Sequence, residues 1–434
     1  MNILDIIIAI LMLGIVIFVH ELGHFLLAKK NGITVTEFSI GMGPKITSFV
    51  RGGTRYSLKL LPIGGYCMML GEDEAVEDEG AFNKKGVWAR FSVLFAGGFF
   101  NFILAFLVAL IVLGANGIDL PTISSVEEGS VAERVGLQEG DLITRIDGNK
   151  INLSREIMFY EMFNPITDES IDVSYSRNGE ERTTTIHPKE IVRYQLGFYY
   201  SSNEEAAVLT DIIEGGPMEE VGIVAGDTLT SIDGTPINMG SDITKYFDGH
   251  PIGTEPITIT YLSVEDNSEK TLALTPQKVT EYKTGFEYSF RNQDLSALNV
   301  IKYSFYELKY NIVNTVKGFG YLITGKIGMD NLAGPVGVVN LVGDIVDITE
   351  DYGLKVTLLE LANFIILISA NLGVLNLMPL PALDGGRIVF LLIEAVRGKP
   401  IPKEKEAVVH LVGMALLFGL MIFVLYNDVR NIFR

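Results

Sequence analysis

The sequence predicts a polytopic α-helical membrane protein with four transmembrane helices and a large folded insert built from two like α+β domains. Three observations carry that expectation. Four apolar stretches are each long enough to span a bilayer, acidic residues concentrate between the second and the third, and that acidic middle contains an internal repeat. The chain has 434 residues, 48% of them hydrophobic, and a mean hydropathy of +0.32 despite a formal charge of −19. Those values are at odds for one soluble globule and separate once the chain is divided. Residues 116–354 hold 17 Lys and Arg against 38 Asp and Glu, while the ends are close to neutral and strongly apolar. This balance excludes nucleic-acid binding through a basic face. The one cysteine, Cys67, excludes an intramolecular disulfide framework and a multi-cysteine zinc site.

A hydrocarbon core of about 30 Å takes roughly 20 helical residues. Ile3–Ala28, Phe91–Ala115, Val356–Met378 and Ala407–Tyr426 reach that length. The first is expected to be retained and not cleaved as a signal peptide, because Met1–Asp5 has no basic side chain and no small-residue cleavage site follows. Lys29, Lys30, Lys84, Lys85 and Arg90 lie between spans one and two, and Arg387, Arg397, Lys399, Lys403 and Lys405 between spans three and four. Positive charge favours the cytoplasmic side, so the insert and both termini are expected outside, across the plasma (inner) membrane if the host is a bacterium. The organisation read from these signals is span one at 1–30, a cytoplasmic loop at 31–90, span two at 91–115 and two domains at 116–201 and 202–290. An amphipathic region at 291–354, span three at 355–378, a loop at 379–406 and span four with the C-terminus at 407–434 complete it.

Span one carries His20-Glu21-Leu22-Gly23-His24, with the apolar helix continuing through Phe25-Leu26-Leu27-Ala28. Residues i and i+4 share a helix face, so both imidazoles can bind one zinc ion with a carboxylate beside them. Such a carboxylate, Glu21, can take the proton of a water activated by the metal. Ionisable groups within a span are costly and mark function by default. Two histidines leave a catalytic zinc one protein ligand short. Glu360, Asp384, Glu394 and His410 are the candidates at membrane depth, and Asp384 stands apart. It follows Asn376-Leu377-Met378-Pro379-Leu380-Pro381-Ala382-Leu383 and precedes Gly385-Gly386, a run that breaks the helix. Irregular backbone survives at membrane depth only where protein or a watery cavity covers it.

Within the insert, residues 126–152 and 212–238 match at 13 of 27 positions at an offset of 86. Gly-Asp opens a strand in each copy, and Asp147-Gly148 or Asp233-Gly234 closes it in a tight turn. A period of this length suits two small domains in tandem better than a solenoid. The pattern resembles PDZ domains of the bacterial protease type. That resemblance places a carboxylate-binding loop at Leu196-Gly197-Phe198 in the first copy and at Thr284-Gly285-Phe286 in the second, the first having the better loop. A peptide would then add as a strand at the adjacent sheet edge. Beyond the repeat, Ile301, Phe305, Leu308, Ile312 and Val316 form an apolar stripe at helical spacing within Leu295–Ile323. The stripe suits a helix on the membrane surface, on the repeat or facing a core.

The intramembrane His-Glu-x-x-His with a late Asn-x-x-Pro-x-Pro-x-Leu-Asp-Gly closely resembles the site-2 protease family, and tandem PDZ domains between spans two and three point to its RseP-like branch. The resemblance implies His20, His24 and Asp384 as ligands of Zn2+ and Glu21 as the catalytic base. It implies cleavage of single-span membrane proteins within the lipid bilayer, such as anti-sigma factors or remnant signal peptides. A membrane-dipping β-hairpin in the loop that holds Gly41-Met42-Gly43-Pro44 and Tyr56–Leu70 would pair with the substrate, because only an extended segment exposes its peptide bonds. Asn376 would bond that strand or the developing oxyanion. Asn101, in Ala96-Gly97-Gly98-Phe99-Phe100-Asn101, takes the place of a family asparagine, with Gly98 where the family has proline. Asn331-Leu332-Ala333-Gly334-Pro335-Val336-Gly337 resembles a further family segment. The PDZ pair is expected to limit access of substrates that keep bulky outer domains. The alternative is a membrane-anchored PDZ adaptor without catalysis, and a four-span metal transporter would need more intramembrane ligands than one cluster.

Overall fold

Apolar sequence free of proline makes the first helix, α1 (Ile3–Lys30), which buries Val16, His20, Gly23 and His24 and turns Ile7, Leu11 and Ile15 outward. The computed structural model describes residues 3–72, 74, 76–289, 292–293, 296–329 and 332–432. The chain forms two compact units, Met1–Asp119 with Arg291–Arg434, and Leu120–Phe290.

In the first unit, α1 leads into β1 (Val35–Arg51) and β2 (Thr54–Met69), joined at Gly52-Gly53, whose φ angles of 57° and 77° favour glycine. The two strands pair antiparallel and fold back on themselves. Ile40 pairs with both Leu58 and Gly65, and Phe38 with both Tyr56 and Cys67, so the first half of β1 lies between the two halves of β2. Gly41 and Gly43, both at positive φ, sit where β1 bends. Ile46, Phe49, Val50, Leu60 and Leu61 are exposed on this sheet. Then comes α2 (Val87–Asn116), ended by Gly117 at φ 73°, and the short β3 (Ile118–Asp119).

The second unit holds the repeat. Its first copy runs through β4 (Ile123–Val126), α3 (Val131–Arg134), β5 (Leu142–Ile146), β6 (Asn149–Lys150), α4 (Ser154–Phe163), β7 (Ile171–Arg177) and β8 (Glu180–Ile186). After β9 (Lys189–Gln195) and β10 (Phe198–Tyr200) the second copy repeats the plan. It has β11 (Leu209–Ile212), α5 (Pro217–Glu220), β12 (Thr228–Ile232), β13 (Thr235–Pro236), α6 (Gly240–Gly249), β14 (Ile257–Leu262) and β15 (Glu269–Leu274). β16 (Gln277–Lys283) and β17 (Phe286–Tyr288) close the unit. Both copies form a four-stranded antiparallel sheet, in the orders β6-β5-β7-β8 and β13-β12-β14-β15.

The Asp-Gly turns are as the sequence predicts, and their aspartates also hold the fold. Asp147 and Asp233 sit at φ 47° and 46°. Each accepts a tyrosine hydroxyl, from Tyr160 at 2.7 Å and Tyr246 at 2.8 Å, and a strand N–H, from Asp172 at 2.8 Å and Thr258 at 2.6 Å.

The boundaries expected at 116–201 and 202–290 do not coincide with the packed domains. β10 pairs with β11, and β17 pairs back with β4. Leu196, 1% exposed, belongs to the core of the second copy with Leu209, Met218 and Ile232, while Phe286 and Tyr288 pack on the core of the first. The Leu196-Gly197-Phe198 loop therefore serves the second copy, and Thr284-Gly285-Phe286 the first. The linking strands β9 and β16 pair antiparallel along their whole lengths, from Lys189↔Lys283 to Gln195↔Gln277. The cause is local. Each loop's carbonyl accepts an N–H of the other copy's first strand region, Gly197 O from Ile213 at 3.0 Å and Gly285 O from Glu127 at 3.0 Å.

Returning to the first unit, β18 (Asn292–Gln293) pairs with β3. α7 (Ala297–Ile323) packs on α2 and α9 (Leu354–Leu377). Of the placements the stripe allows, a core-facing one is not what forms. Ile301, Phe305 and Val316 are exposed, whereas Ser304, Glu307 and Asn311 are buried, with Thr315 Oγ1 bonded to Asn371 Oδ1 at 2.5 Å. A polar face turned toward other helices and an apolar face turned outward is the arrangement lipid favours. α8 (Pro335–Thr349) starts with proline at its first turn, and the N–H groups of Gly334 and Gly337 donate to Asp428 at 3.0 and 2.9 Å. Asn331 of the segment singled out there lies outside the described residues. Where a loop was expected at 379–406, the chain forms α10 (Asp384–Arg397), ended by Gly398 in the left-handed conformation. α11 (Lys403–Ile432) follows. Among the described residues, α1, α2, α9 and α11 are long and apolar enough to cross a membrane, matching the four expected spans.

Candidate metal centre

The centre is built where α1, α2 and the start of α10 meet. Close helix contact comes first, and glycine makes it. A Cβ on Gly23 would lie 2.5 Å from Ala96 O, and one on Gly98 would lie 2.9 Å from Gly373 O, so α1 and α9 both press on the small-residue stretch of α2. Ser369 Oγ adds a bond to Asn101 O at 2.8 Å.

His20 and His24 are buried on the α2-facing side of α1, 8% and 6% exposed. His24 Nδ1 lies 2.9 Å from Val93 O. A carbonyl oxygen only accepts, so Nδ1 carries a proton and, in the neutral ring, Nε2 is a bare lone pair. That Nε2 lies 3.2 Å from His20 Nε2 and 3.1 Å from Asp384 Oδ2, and His20 Nε2 lies 3.4 Å from the same oxygen. Asp384 Oδ2 is buried without a hydrogen-bond partner.

Asp384 gets there through a tight turn. α9 stops at Leu377, Ala382 adopts φ 73°, and α10 starts at Asp384. The turn needs the glycines that follow, since a Cβ on Gly385 would lie 2.0 Å from Met378 O and one on Gly386 2.4 Å from Leu380 O. Two ion pairs brace α10 behind it, Arg387 with Glu72 and Arg90 with Glu394, the latter at 2.5 Å.

Lone pairs of two imidazoles and a carboxylate converging within hydrogen-bond distance repel unless a cation or proton lies among them. The donor set is two His nitrogens and one carboxylate oxygen, which is what zinc takes in catalytic sites. These residues fit a zinc ion: one donor atom from each of His20, His24 and Asp384 lies within 4.8 Å of the others. The other sequence candidates lie elsewhere. Glu394 pairs with Arg90, Glu360 accepts from Asn363 at 3.3 Å, and His410 Nδ1 accepts from Ala382 N at 2.9 Å.

Glu21 is adjacent. The β2 strand runs against it, with Gly65 so near that a Cβ there would lie 3.2 Å from Glu21 Cγ. Asn101 is fully buried with Nδ2 3.5 Å from His20 Nδ1, the outer limit of a hydrogen bond, while its Oδ1 has no partner. An amide turned by 180° keeps its shape and would offer Oδ1 to His20 Nδ1–H. Asn101 is thus a neighbour of His20 and not of an open cavity. Asn376 is half-buried at the end of α9. Leu196, Gly197 and Phe198 lie in the second unit, where a cavity of about 330 Å³ opens instead beside the first copy's loop, between Tyr160, Glu161 and Asn164 on one side and Thr284 and Phe286 on the other.

Sequence reasoning did not single out Val93, whose carbonyl fixes the His24 proton, or the role of Gly97. A Cβ on Gly97 would lie 2.3 Å from His24 Nε2 and 2.7 Å from His20 Cε1. A Gly-Gly pair inside a span signals close approach but not which groups come close.

A protein-family model described as peptidase family M50 matches residues 8–420. The zinc metalloprotease RasP of Bacillus licheniformis is 32% identical over 98% of this chain and 98% of its own length. The regulator of sigma E protease of Haemophilus influenzae is 30% identical over 96% of this chain and 97% of its own. Among solved structures, the HtrA3 PDZ domain bound to a phage-derived ligand aligns over 21% of this chain and 93% of its own, at 13% identity and a TM-score of 0.18.

Proposed function

The chain belongs to peptidase family M50 and is a zinc metalloprotease of the site-2 type, and from that premise we propose that His20, His24 and Asp384 hold the zinc and Glu21 is the catalytic base for cleaving peptide bonds inside transmembrane segments. The observation that carries this reading is the meeting, at 3.1–3.4 Å, of two imidazole nitrogens from a helix long and apolar enough to span a bilayer with one carboxylate oxygen from the start of α10.

Zinc held there would act as a Lewis acid toward the scissile carbonyl and would lower the pKa of water. The rest is the protein's part. Val93 O and Asn101 hold the outer nitrogens of His24 and His20, which fixes ring orientation and proton position. The Glu21 carboxylate, flanked by β2 at Gly65, takes the proton of the attacking water and returns it to the leaving nitrogen. The nearby β2 strand supports presentation of an extended substrate, because a helical one hides its peptide bonds in its own hydrogen bonds. The apolar exposure of Phe49, Val50, Leu60 and Leu61 supports insertion of this sheet into the bilayer surface. Asn376 is assigned to the substrate or its oxyanion.

The substrates are single-span membrane proteins of the anti-sigma-factor kind or remnant signal peptides, a reading supported by the name of the Haemophilus influenzae relative. The paired PDZ-type domains face the outside of the plasma (inner) membrane, as the basic residues between spans one and two favour. They limit entry of substrates with intact outer domains.

The test is cleavage of a tagged single-span substrate in detergent, with zinc assayed in each variant. Glu21→Gln should keep its metal and lose about 10²–10⁴-fold in rate. Asp384→Asn should lose cleavage and most of its zinc. Cleavage that survives Glu21→Gln would sink the assignment.

A further inference from the structure

α11 touches the turn that delivers Asp384, and at two points on one face. His410 Nδ1 accepts the N–H of Ala382 at 2.9 Å. One turn on, Gly413 lies against Pro381, and a Cβ there would sit 2.2 Å from Pro381 Cβ. The bonded residue is the strained one. Ala382 holds φ 73°, a left-handed conformation that an L-residue with a Cβ adopts only at a cost. Such a conformation persists only where its surroundings over-determine it, and the Ala382 N–H bond is one of the contacts that do so. Asp384 follows two residues later.

His410 is placed to act there. Its side chain is 16% exposed, its ring packs 5.7 Å from that of Phe390, and Glu406 Oε1 lies 3.7 Å from Nε2, the nitrogen that does not face Ala382. By contrast much of α11 presents bare apolar surface, Leu411, Leu416, Phe418 and Ile422 among it.

Resting on the zinc reading above, we propose that His410 is a positioning residue for the third ligand: its hydrogen bond to Ala382 registers the turn at 378–384, so that metal retention and turnover depend on where α11 sits. Gly413 permits the approach and His410 fixes it. A displacement of α11 would release the Ala382 N–H, relax the left-handed residue and let Asp384 move from the two imidazoles.

The experiment uses the full-length chain in detergent and three variants. Asn in place of His410 carries Oδ1 near where Nδ1 stands, Gln carries its oxygen further out, and Leu offers no acceptor. His410→Leu should release zinc to a chelator about tenfold faster than wild type and lower kcat with KM little changed. His410→Asn should restore both to within about threefold, and His410→Gln should resemble His410→Leu. Exchange of the Ala382 amide reads the bond itself, independently of metal, and should quicken about tenfold in the Leu variant only when the rest of the molecule keeps its protection. Wild-type zinc retention and Ala382 protection in His410→Leu overturn the proposal, as does an Asn variant no better than Leu. The two readings fail differently. A wild-type chain that takes up no zinc overturns the metal centre and this role with it. A wild-type chain that holds zinc no better than His410→Leu overturns this role alone.

Discussion

Gly97 on α2 faces His24 on α1 so closely that a single added methyl carbon would lie 2.3 Å from the imidazole Nε2. The atoms in the way are His24 Nε2 and Cε1 and His20 Cε1, the ring edges proposed to face zinc, and α1 cannot back off without giving up Gly23 against Ala96. Gly97→Ala should therefore cost metal before it costs fold. Zinc content should fall about ten- to a hundredfold, with α-helical content retained. Equal zinc in Gly97→Ala and wild type would show that the rings move aside freely. Gly114→Ala, where nothing lies within 4 Å, is the control.

The exchange of β10 and β17 between the repeat copies predicts which fragments fold. The core of the second copy, from Leu196 to Leu274, is continuous in sequence. The core of the first depends on Phe286 and Tyr288 from the far end of the unit. A fragment spanning 189–276 should fold alone with a cooperative thermal transition, and one spanning 116–201 should not. Residues 120–290 should fold as one piece. Cooperative folding of 116–201 would contradict the pairing of β17 with β4.

Acid should weaken the second copy through Asp242. Its carboxylate accepts the N–H groups of Asn238 and Met239 at 3.2 and 3.1 Å, which hold it below the ordinary aspartate range. A depressed folded-state value means the unfolded chain binds the proton more readily, so this stability is present above the unfolded value and lost as pH falls through the folded one. Thermal midpoints of the 189–276 fragment should drop as pH falls below about 4, and Asp242→Asn should flatten that drop. An unchanged slope in the variant would exclude Asp242 as the titrating group.

Arg90 and Glu394 form a bond between α2 and α10, 14% and 15% exposed. Removing one partner leaves a mostly buried charge unpaired, at a cost of about 3 kcal/mol, while replacing both with apolar residues costs less. Thermal unfolding in detergent should rank Arg90→Met below the double variant Arg90→Met with Glu394→Leu. The reverse order would mean that water reaches this pair freely.

Some of this molecule is plain from the chain alone. The four spans are legible because length and hydropathy suffice in lipid, where backbone groups must bond internally. The His-Glu-x-x-His pair is legible because helical periodicity alone puts its two rings on one face. Asp384 stood out among the acidic candidates because prolines and glycines around it forbid a continuous helix, and the repeat was visible because its turns demand particular residues at fixed offsets. What stayed hidden depends on contacts between segments far apart in sequence. Nothing in Leu196-Gly197-Phe198 says which copy it will complete, since both copies offer equivalent first strands and only the pairing of β9 with β16 settles the exchange. The stripe of Ile301, Phe305 and Val316 leaves open which surface it meets, and only tertiary packing buries Ser304, Glu307 and Asn311 and leaves the apolar side outward. The convergence of His20, His24 and Asp384 is likewise a tertiary result. Sequence supplied the donors, but only glycine-mediated helix contact and the turn at Ala382 bring atoms some 360 residues apart to 3.1 Å, because distance in space follows from packing and not from spacing along the chain.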